Sequence, residues 1–340
     1  MDPTTNENGT EISKPSPSPG PAFTLLKGEE ALAVVTWLYH NRKLTQQRIA
    51  KELGISRPTV MRMLRQAEEA GLVSVSLRLD ILQRMEASRR IADHFGLREV
   101  FIVPTSKMDT PGEILRAVGR TGALYLQAKL KPEDTLTVAW GKALYEVACA
   151  LPDHPISGLV VAQSMGGLNS GTSAIPSRVT SLVAEKLHAR IYHLYVPAIV
   201  ATKSLRDILL ADPGVKGALD IARQANYFIA GIGKAAPDAT VVEAGFIDLA
   251  TIDRLRMRGA VGDIATRYFD INGKPVPDEL EDRIIGLSWE DMLRIQTVIA
   301  VASGVDKTSA LVGALRTGLL HVLILDDRTA QRILESIDSH

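Results

Sequence analysis

The chain has 340 residues, and its 39 basic side chains are balanced by 39 acidic ones, so the formal net charge is zero. Affinity for a polyanion therefore has to rest on a local patch rather than on total charge. Hydrophobic residues make up 46 % of the chain and aromatics 5 %, which allows a large core built mainly from aliphatic side chains. The single cysteine, Cys149, excludes an internal disulfide framework and any cysteine-rich zinc site.

In chain order, residues 1–24 contain the run Ser13-Lys14-Pro15-Ser16-Pro17-Ser18-Pro19-Gly20-Pro21, which supports neither helix nor ladder hydrogen bonding and predicts a disordered tail. From Gly28, the apolar residues Leu32, Val35, Trp37, Leu38 and Tyr39 predict the first helix of a small head. Residues 45–65 then read as two short helices joined by a tight turn. Thr45 is placed to cap the first, Ile49, Ala50 and Leu53 share one apolar face, and Gly54 can leave a helix with positive φ. Ser56 caps the second, with Pro58 near its start, where no helical carbonyl would have used the missing amide hydrogen. Val60, Met61 and Leu64 are expected to face inward and Arg57, Thr59, Arg62 and Arg65 to face outward.

Residues 45–66 carry Arg48, Lys51, Arg57, Arg62 and Arg65 against one acid, Glu52. A helix with such a face, set across another by a short turn, suits the major groove of DNA, and phosphate contacts supply much of the affinity. After Gly71, the alternation in Val73-Ser74-Val75-Ser76-Leu77-Arg78-Leu79 predicts a strand. Helix, turn, helix and strand in that order make a winged helix-turn-helix domain over residues 25–80. Ile81, Leu82, Met85, Ile91, Ala92 and Phe95 then recur at helical spacing, which predicts an amphipathic connecting helix over 81–98. That helix either docks on the body or brings two heads together.

From residue 99 to 340 the pattern changes. Strand-length apolar runs occur at Val100–Val103, Thr135–Val138, Leu159–Ala162, Ile191–Val196, Tyr227–Ala230, Val298–Val301 and Val322–Leu325. They alternate with helical segments such as 113–129, 177–188, 215–226 and 308–317. This alternation predicts an α/β domain with a doubly wound, mostly parallel sheet covered on both faces. Ligands of such sheets bind in loops beyond the carboxyl ends of the strands. Three glycine-bearing loops follow strands there: Ala139-Trp140-Gly141-Lys142-Ala143-Leu144, Gln163-Ser164-Met165-Gly166-Gly167-Leu168-Asn169-Ser170 and Gly231-Ile232-Gly233-Lys234. Each resembles a turn able to offer backbone amides to an anion. Two further clusters add charge, Asp263 directly after Gly262 and Lys307 near the start of a helix after Ser303-Gly304. Cys149, in the run Val147–Leu151, reads as a small buried thiol. No apolar run reaches membrane-spanning length and no basic-then-apolar leader is evident, so a cytoplasmic protein without membrane contact is expected.

Taken together, the chain from about Leu26 onward resembles the SorC family of bacterial sugar-responsive transcriptional regulators. The resemblance is carried by the helix-turn-helix at 45–66, Trp140-Gly141, Gly262-Asp263-Ile264 with Arg267-Tyr268-Phe269-Asp270 and Gly273, and the block Ile299–Asp326. It implies a C-terminal effector domain similar in fold to sugar-phosphate isomerases and deaminases, and a homodimer or homotetramer on operator DNA. The implied effector is a small sugar, polyol or sugar phosphate; no cofactor or metal and no catalytic residue is implied. Thr45, Gln46, Ser56, Arg57, Thr59, Arg62 and Arg65 would serve the DNA. Trp140, Gly141 and Lys142 would form the phosphate or polar-head loop and Gly166 and Gly167 a second loop. Asp263 would hold ligand hydroxyls and Lys307 would face the anionic end. Family members commonly have glycine before the tryptophan and a threonine later in that loop, where this chain has Ala139 and Ala143. Loss of that hydroxyl donor weakens the case for a phosphorylated effector; Lys142 could replace it by charge, or, if desolvated, form an imine with an aldose. The competing reading is an isomerase- or deaminase-like enzyme with an appended head, which would need an acid/base pair such as Asp263 and Lys307.

Overall fold

The computed structural model describes residues 26–73, 79–167 and 173–338. The predicted tail, residues 74–78 of the predicted wing strand and residues 168–170 of the predicted second loop lie outside the described residues. The chain separates into two compact units that part between Arg78 and Leu79.

The first unit contains α1 (Glu29–His40), α2 (Gln46–Leu53) and α3 (Arg57–Glu69). Thr45 caps α2 by accepting the Arg48 amide at 3.3 Å, and Ser56 caps α3 by accepting the Thr59 amide at 3.2 Å. Each hydroxyl satisfies a first-turn donor that has no helical carbonyl. The turn between them bends at Gly54, φ 67°. Val35, Ile49, Ala50, Val60 and Leu64 form the core of the unit, with Leu38, Leu44, Leu53, Ile55 and Met63 packed around it. Full burial of each larger aliphatic side chain contributes about 1.5–3 kcal/mol. Met61 does not join them: it is 51 % exposed. Each helical residue turns by about 100°, so the position after Val60 leaves the face that Val60, Leu64 and Ala67 share. Trp37 and Tyr39 are exposed for the same reason, since α1 turns Ala31 and Val35 inward.

The second unit opens with α4 (Leu79–Phe95), so Leu79 begins the connecting helix instead of ending a strand, and the helix stops before the expected residue 98. Only Ile91 of its apolar side chains is fully buried. Seven strands follow in one sheet: β1 (Glu99–Val103), β2 (Thr135–Val138), β3 (Val160–Gln163), β4 (Arg190–Tyr192), β5 (Tyr227–Gly231), β9 (Thr297–Val301) and β10 (Val322–Asp326). A separate sheet holds β6 (Gly233–Lys234), β7 (Ala260–Ile264) and β8 (Arg267–Asp270). The main sheet has the order β1-β10-β9-β5-β2-β3-β4, and all six pairings are parallel. Its inner strands are almost wholly buried, whereas β4 is an exposed edge and shorter than the predicted run Ile191–Val196.

The helices of this unit are α5 (Pro111–Lys129), α6 (Lys142–Ala150), α7 (Pro176–Leu187), α8 (Lys203–Ala211), α9 (Pro213–Arg223), α10 (Thr240–Glu243), α11 (Leu249–Met257), α12 (Trp289–Arg294), α13 (Thr308–Arg316) and α14 (Asp327–Asp338). Thr110 and Glu113 form a reciprocal capping box at the start of α5. Helix α6 buries Ala143, Leu144, Val147 and Ala148, which turns Cys149 outward. That thiol is exposed, contrary to the buried position its apolar neighbours suggested. Among the described residues no helix is long and apolar enough to cross a membrane.

Strand order decides where the site lies. From β2 the chain adds β3 and β4 toward one edge, then returns to β5 and adds β9 and β10 toward the other. Successive connections at β2 and β5 therefore leave in opposite directions. The loops beyond their carboxyl ends separate and leave a crevice between them.

Candidate functional site

A cavity of about 490 Å³ occupies that crevice, walled by the loops after β2, β5, β9 and β10 and by the small antiparallel sheet. Trp140, Gly141, Lys142, Asp263 and Lys307, five of the expected effector residues, line it together.

Asp263 belongs to a strand, not to a glycine loop. It sits in β7, opposite Gly233 of β6 and Tyr268 of β8. Its carboxylate accepts the Thr266 amide at 2.9 Å. A Cβ on Gly233 would lie 1.9 Å from an Asp263 oxygen, so glycine at 233 creates the space the acid occupies. Burial pushes the Asp263 carboxyl up to about 6, against the opposing effects of the Thr266 hydrogen bond and the Lys307 charge. Beside it the Tyr268 hydroxyl is buried without a hydrogen-bond partner among the described residues. Burial and the neighbouring acid hold that phenol well above its ordinary value.

Lys307 ends a single 3-10 turn, Val305–Lys307, just before α13. Its Nζ donates to the Ile232 carbonyl at 3.1 Å rather than extending into solvent. Burial lowers the ammonium below its usual value, opposed by the charges of Asp306 and Asp263. A half-buried cation and a buried carboxylate thus share one wall, and each has hydrogen-bonding capacity left for a ligand hydroxyl beyond its single bond to the backbone.

The remaining cations are engaged. Lys142 Nζ lies 2.7 Å from Glu243, and Lys234 Nζ lies between Asp238 at 2.7 Å and Asp306 at 2.6 Å. Lys142 is exposed and already ion-paired with Glu243. Arg328 bonds Thr105 Oγ1 at 3.1 Å and the Ser106 carbonyl. Asp326, fully buried at the end of β10, accepts the Gly304 amide and both the amide and hydroxyl of Thr329, fixing the loop after β9. Glu243 and Asp306 escape a sequence reading because each lies far along the chain from the lysine it meets; Asp238, by contrast, stands four residues after Lys234.

The amides of the loop glycines 141, 166 and 167 are taken by backbone carbonyls. The Gly141 amide donates to the Ala174 carbonyl at 3.0 Å. Gly166 and Gly167 do not line the cavity; their amides donate to Ile285 at 2.9 Å and Val196 at 2.8 Å. A Cβ on Gly166 would stand 2.5 Å from the carbonyl oxygens of Val196 and Pro197, so the residue serves a close backbone approach. Gly233 and Lys234 pair with β7. Among the described residues no group of three or more His, Cys, Asp or Glu side chains is arranged to hold a metal.

In the first unit, α3 presents Arg57, Arg62 and Arg65 on its exposed side, with Thr59 half-buried. Arg48 and Lys51 of α2 are exposed as well. Arg57 Nε donates to Gln46 Oε1 at 3.4 Å, which links the starts of the two helices. Thr45 and Ser56 are occupied in part by their capping bonds, and Ser56 Oγ also lies 2.8 Å from Thr59 Oγ1. The guanidinium groups are therefore free of the core and, together with Arg48 and Lys51, give this unit an exposed basic surface.

Comparison with known proteins places both units. Residues 80–335 match the family described as "Putative sugar-binding domain", and residues 26–78 match the MarR family. The chain is similar to the erythritol catabolism regulatory protein EryD of Brucella abortus, with 30 % identity over 311 residues, 90 % of this chain and 97 % of that protein. It is 29 % identical to the deoxyribonucleoside regulator of Bacillus subtilis over 302 residues, 88 % of this chain and 96 % of that one. The crystal structure of the full-length sorbitol operon regulator SorC from Klebsiella pneumoniae is similar at a TM-score of 0.70 and 25 % identity, covering 89 % of this chain and 98 % of that one.

Proposed function

The chain belongs to the SorC family of sugar-responsive transcriptional regulators, and we propose that a small sugar, polyol or sugar phosphate bound at Asp263 and Lys307 sets its grip on an operator. The observation that carries this reading is the Asp263 carboxylate, buried in the cavity wall with its pKa pushed up to about 6. Keeping a carboxylate in such a place opposes folding, and perturbed groups of this kind concentrate where a ligand is recognised. Ligand hydroxyls donate to Asp263 and accept from Lys307, while Trp140 and the start of α6 close one side.

On the DNA, Arg62 and Arg65 of α3 enter the major groove with Arg57 and Thr59. Gln46, Thr45 and Ser56 at the helix starts meet the backbone. The protein acts as a homodimer or homotetramer in the cytoplasm, because one head reads only a half-site. The named roles of the relatives, in erythritol, sorbitol and deoxyribonucleoside regulation, support a carbohydrate or polyol operon as the target and binding rather than turnover as the task of the cavity.

The test is titration of a fluorescent duplex from the upstream region of the chain's own gene with full-length protein, over a salt series and with a panel of sugars and polyols. Operator binding that weakens steeply with salt and shifts with at least one compound is expected. Absent or salt-insensitive binding rejects the DNA-binding role.

A further inference from the structure

Resting on the reading of this cavity as the effector site, we infer that the effector is an uncharged polyol or sugar and that the site discriminates against its phosphate ester. The charged side chains lining the cavity are Lys142, Lys234, Lys307 and Arg328 against Asp238, Glu243, Asp263, Asp306 and Asp326. With every group ionised, this wall already carries one more negative than positive charge.

The positive groups are also not free to receive an anion. Lys142 is held by Glu243 at 2.7 Å, and Lys234 is clamped by two carboxylates at 2.7 and 2.6 Å. Arg328 points into the Thr105–Ser106 loop. Among the described residues Lys307 alone of these cations makes neither an ion pair nor a bond to that loop, and it faces Asp263 across the wall. A phosphate monoester brings a charge of about −1.5 to −2 near neutral pH. To bind, it would have to displace carboxylates from Lys142 or Lys234 and leave them unpaired beside itself.

The backbone offers no substitute. The Gly141 amide is taken by Ala174, and the Gly166 and Gly167 amides by Ile285 and Val196. First-turn amides of α6 remain, but Glu243 stands against Lys142 at that corner, so the local charge is already balanced. Ala143, which lines the cavity at the start of α6, offers no hydroxyl donor. Hydroxyl groups suit these surroundings, since each one donates to a fixed carboxylate or accepts from a fixed ammonium without breaking an ion pair.

Calorimetric titration of the full-length protein with matched pairs tests this: erythritol and erythritol 4-phosphate, sorbitol and sorbitol 6-phosphate, 2-deoxyribose and 2-deoxyribose 5-phosphate. At least one uncharged member is expected to bind, with its ester at least tenfold weaker. Glu243→Gln, which releases Lys142, and the double variant Asp238→Asn/Asp306→Asn, which releases Lys234, are expected to narrow that ratio severalfold. An ester that binds the unmodified protein more tightly than its parent overturns the inference; if Asp263→Ala also abolishes its binding, the effector-site reading survives. If no pair member binds to protein that still binds its operator, both fall.

Discussion

Replacing Asp263 with asparagine should make the protein more stable at neutral pH while abolishing its response to effector. The native carboxyl is raised from an ordinary 3.8 to about 6. Between those values the native state holds a proton that the unfolded chain has lost. Stability therefore declines as pH rises through this window, and the loss is complete above it. A shift of about two units at ~1.4 kcal/mol per unit corresponds to ~3 kcal/mol. Asparagine fills nearly the same volume and never ionises, so the variant escapes this decline. The favourable charge of Lys307 is already contained in that shift, so the variant is expected to gain up to about 3 kcal/mol at pH 8. Urea unfolding at pH 4, 5, 6 and 8 measures it, followed by tryptophan fluorescence. Trp140 and Trp289 lie in the second unit, while Trp37 is already half exposed in the first. Wild-type and variant curves that run parallel across this range would show that Asp263 ionises as a solvated carboxylate, and the reasoning would be wrong.

Effector affinity should itself depend on pH: hydroxyl donors need the ionised Asp263, so below about pH 6 calorimetry is expected to show affinity falling toward tenfold per unit, and a flat profile contradicts that role. Gly166→Ala should cost about 1–3 kcal/mol or more in thermal unfolding, because its new methyl meets two carbonyl oxygens at 2.5 Å. Gly167→Ala, with nothing within 4 Å of the added atom, should cost far less; equal losses would argue against a close-packing role for Gly166. Arg62→Ala should weaken operator binding by about 1–3 kcal/mol and leave the melting temperature unchanged; anisotropy titration unaffected by the change removes Arg62 from the interface.

Features set by neighbouring residues were legible in the sequence. The caps Thr45 and Ser56, the turn at Gly54 and all seven strands of the parallel sheet depend on local pattern, and the fold class follows from their alternation with helices. Orientation within a helix was less secure where apolar residues crowd together. Met61, Trp37, Tyr39 and Cys149 each sit beside a buried neighbour yet face solvent, because only one stripe of a helix can meet the core. The small antiparallel sheet escaped notice because Gly233 and Gly262 interrupt its strands with residues that usually mark turns. Consequently Asp263 was found by its residue type, but its burial was not. The pairs Lys142–Glu243 and Lys234–Asp306 depend on the return of distant residues to the same crevice, a property of tertiary topology with no local signature, whereas Lys234–Asp238 is a local pair of residues four apart. Glycines 141, 166 and 167 looked like anion loops for the opposite reason: their permissive backbones are visible in sequence, but the carbonyls that take their amides are not.

The central claim is that ligand at Asp263 and DNA at α3 influence each other through one molecule. Coupling between two binding sites is reciprocal. The most direct measurement is therefore the affinity of the bound polyol for free protein and for protein saturated with operator duplex. The account predicts that these two affinities differ by the same factor by which the polyol changes operator affinity, and that Asp263→Ala removes both effects without reducing DNA binding. A polyol that binds equally tightly to the free and the operator-bound protein would contradict it.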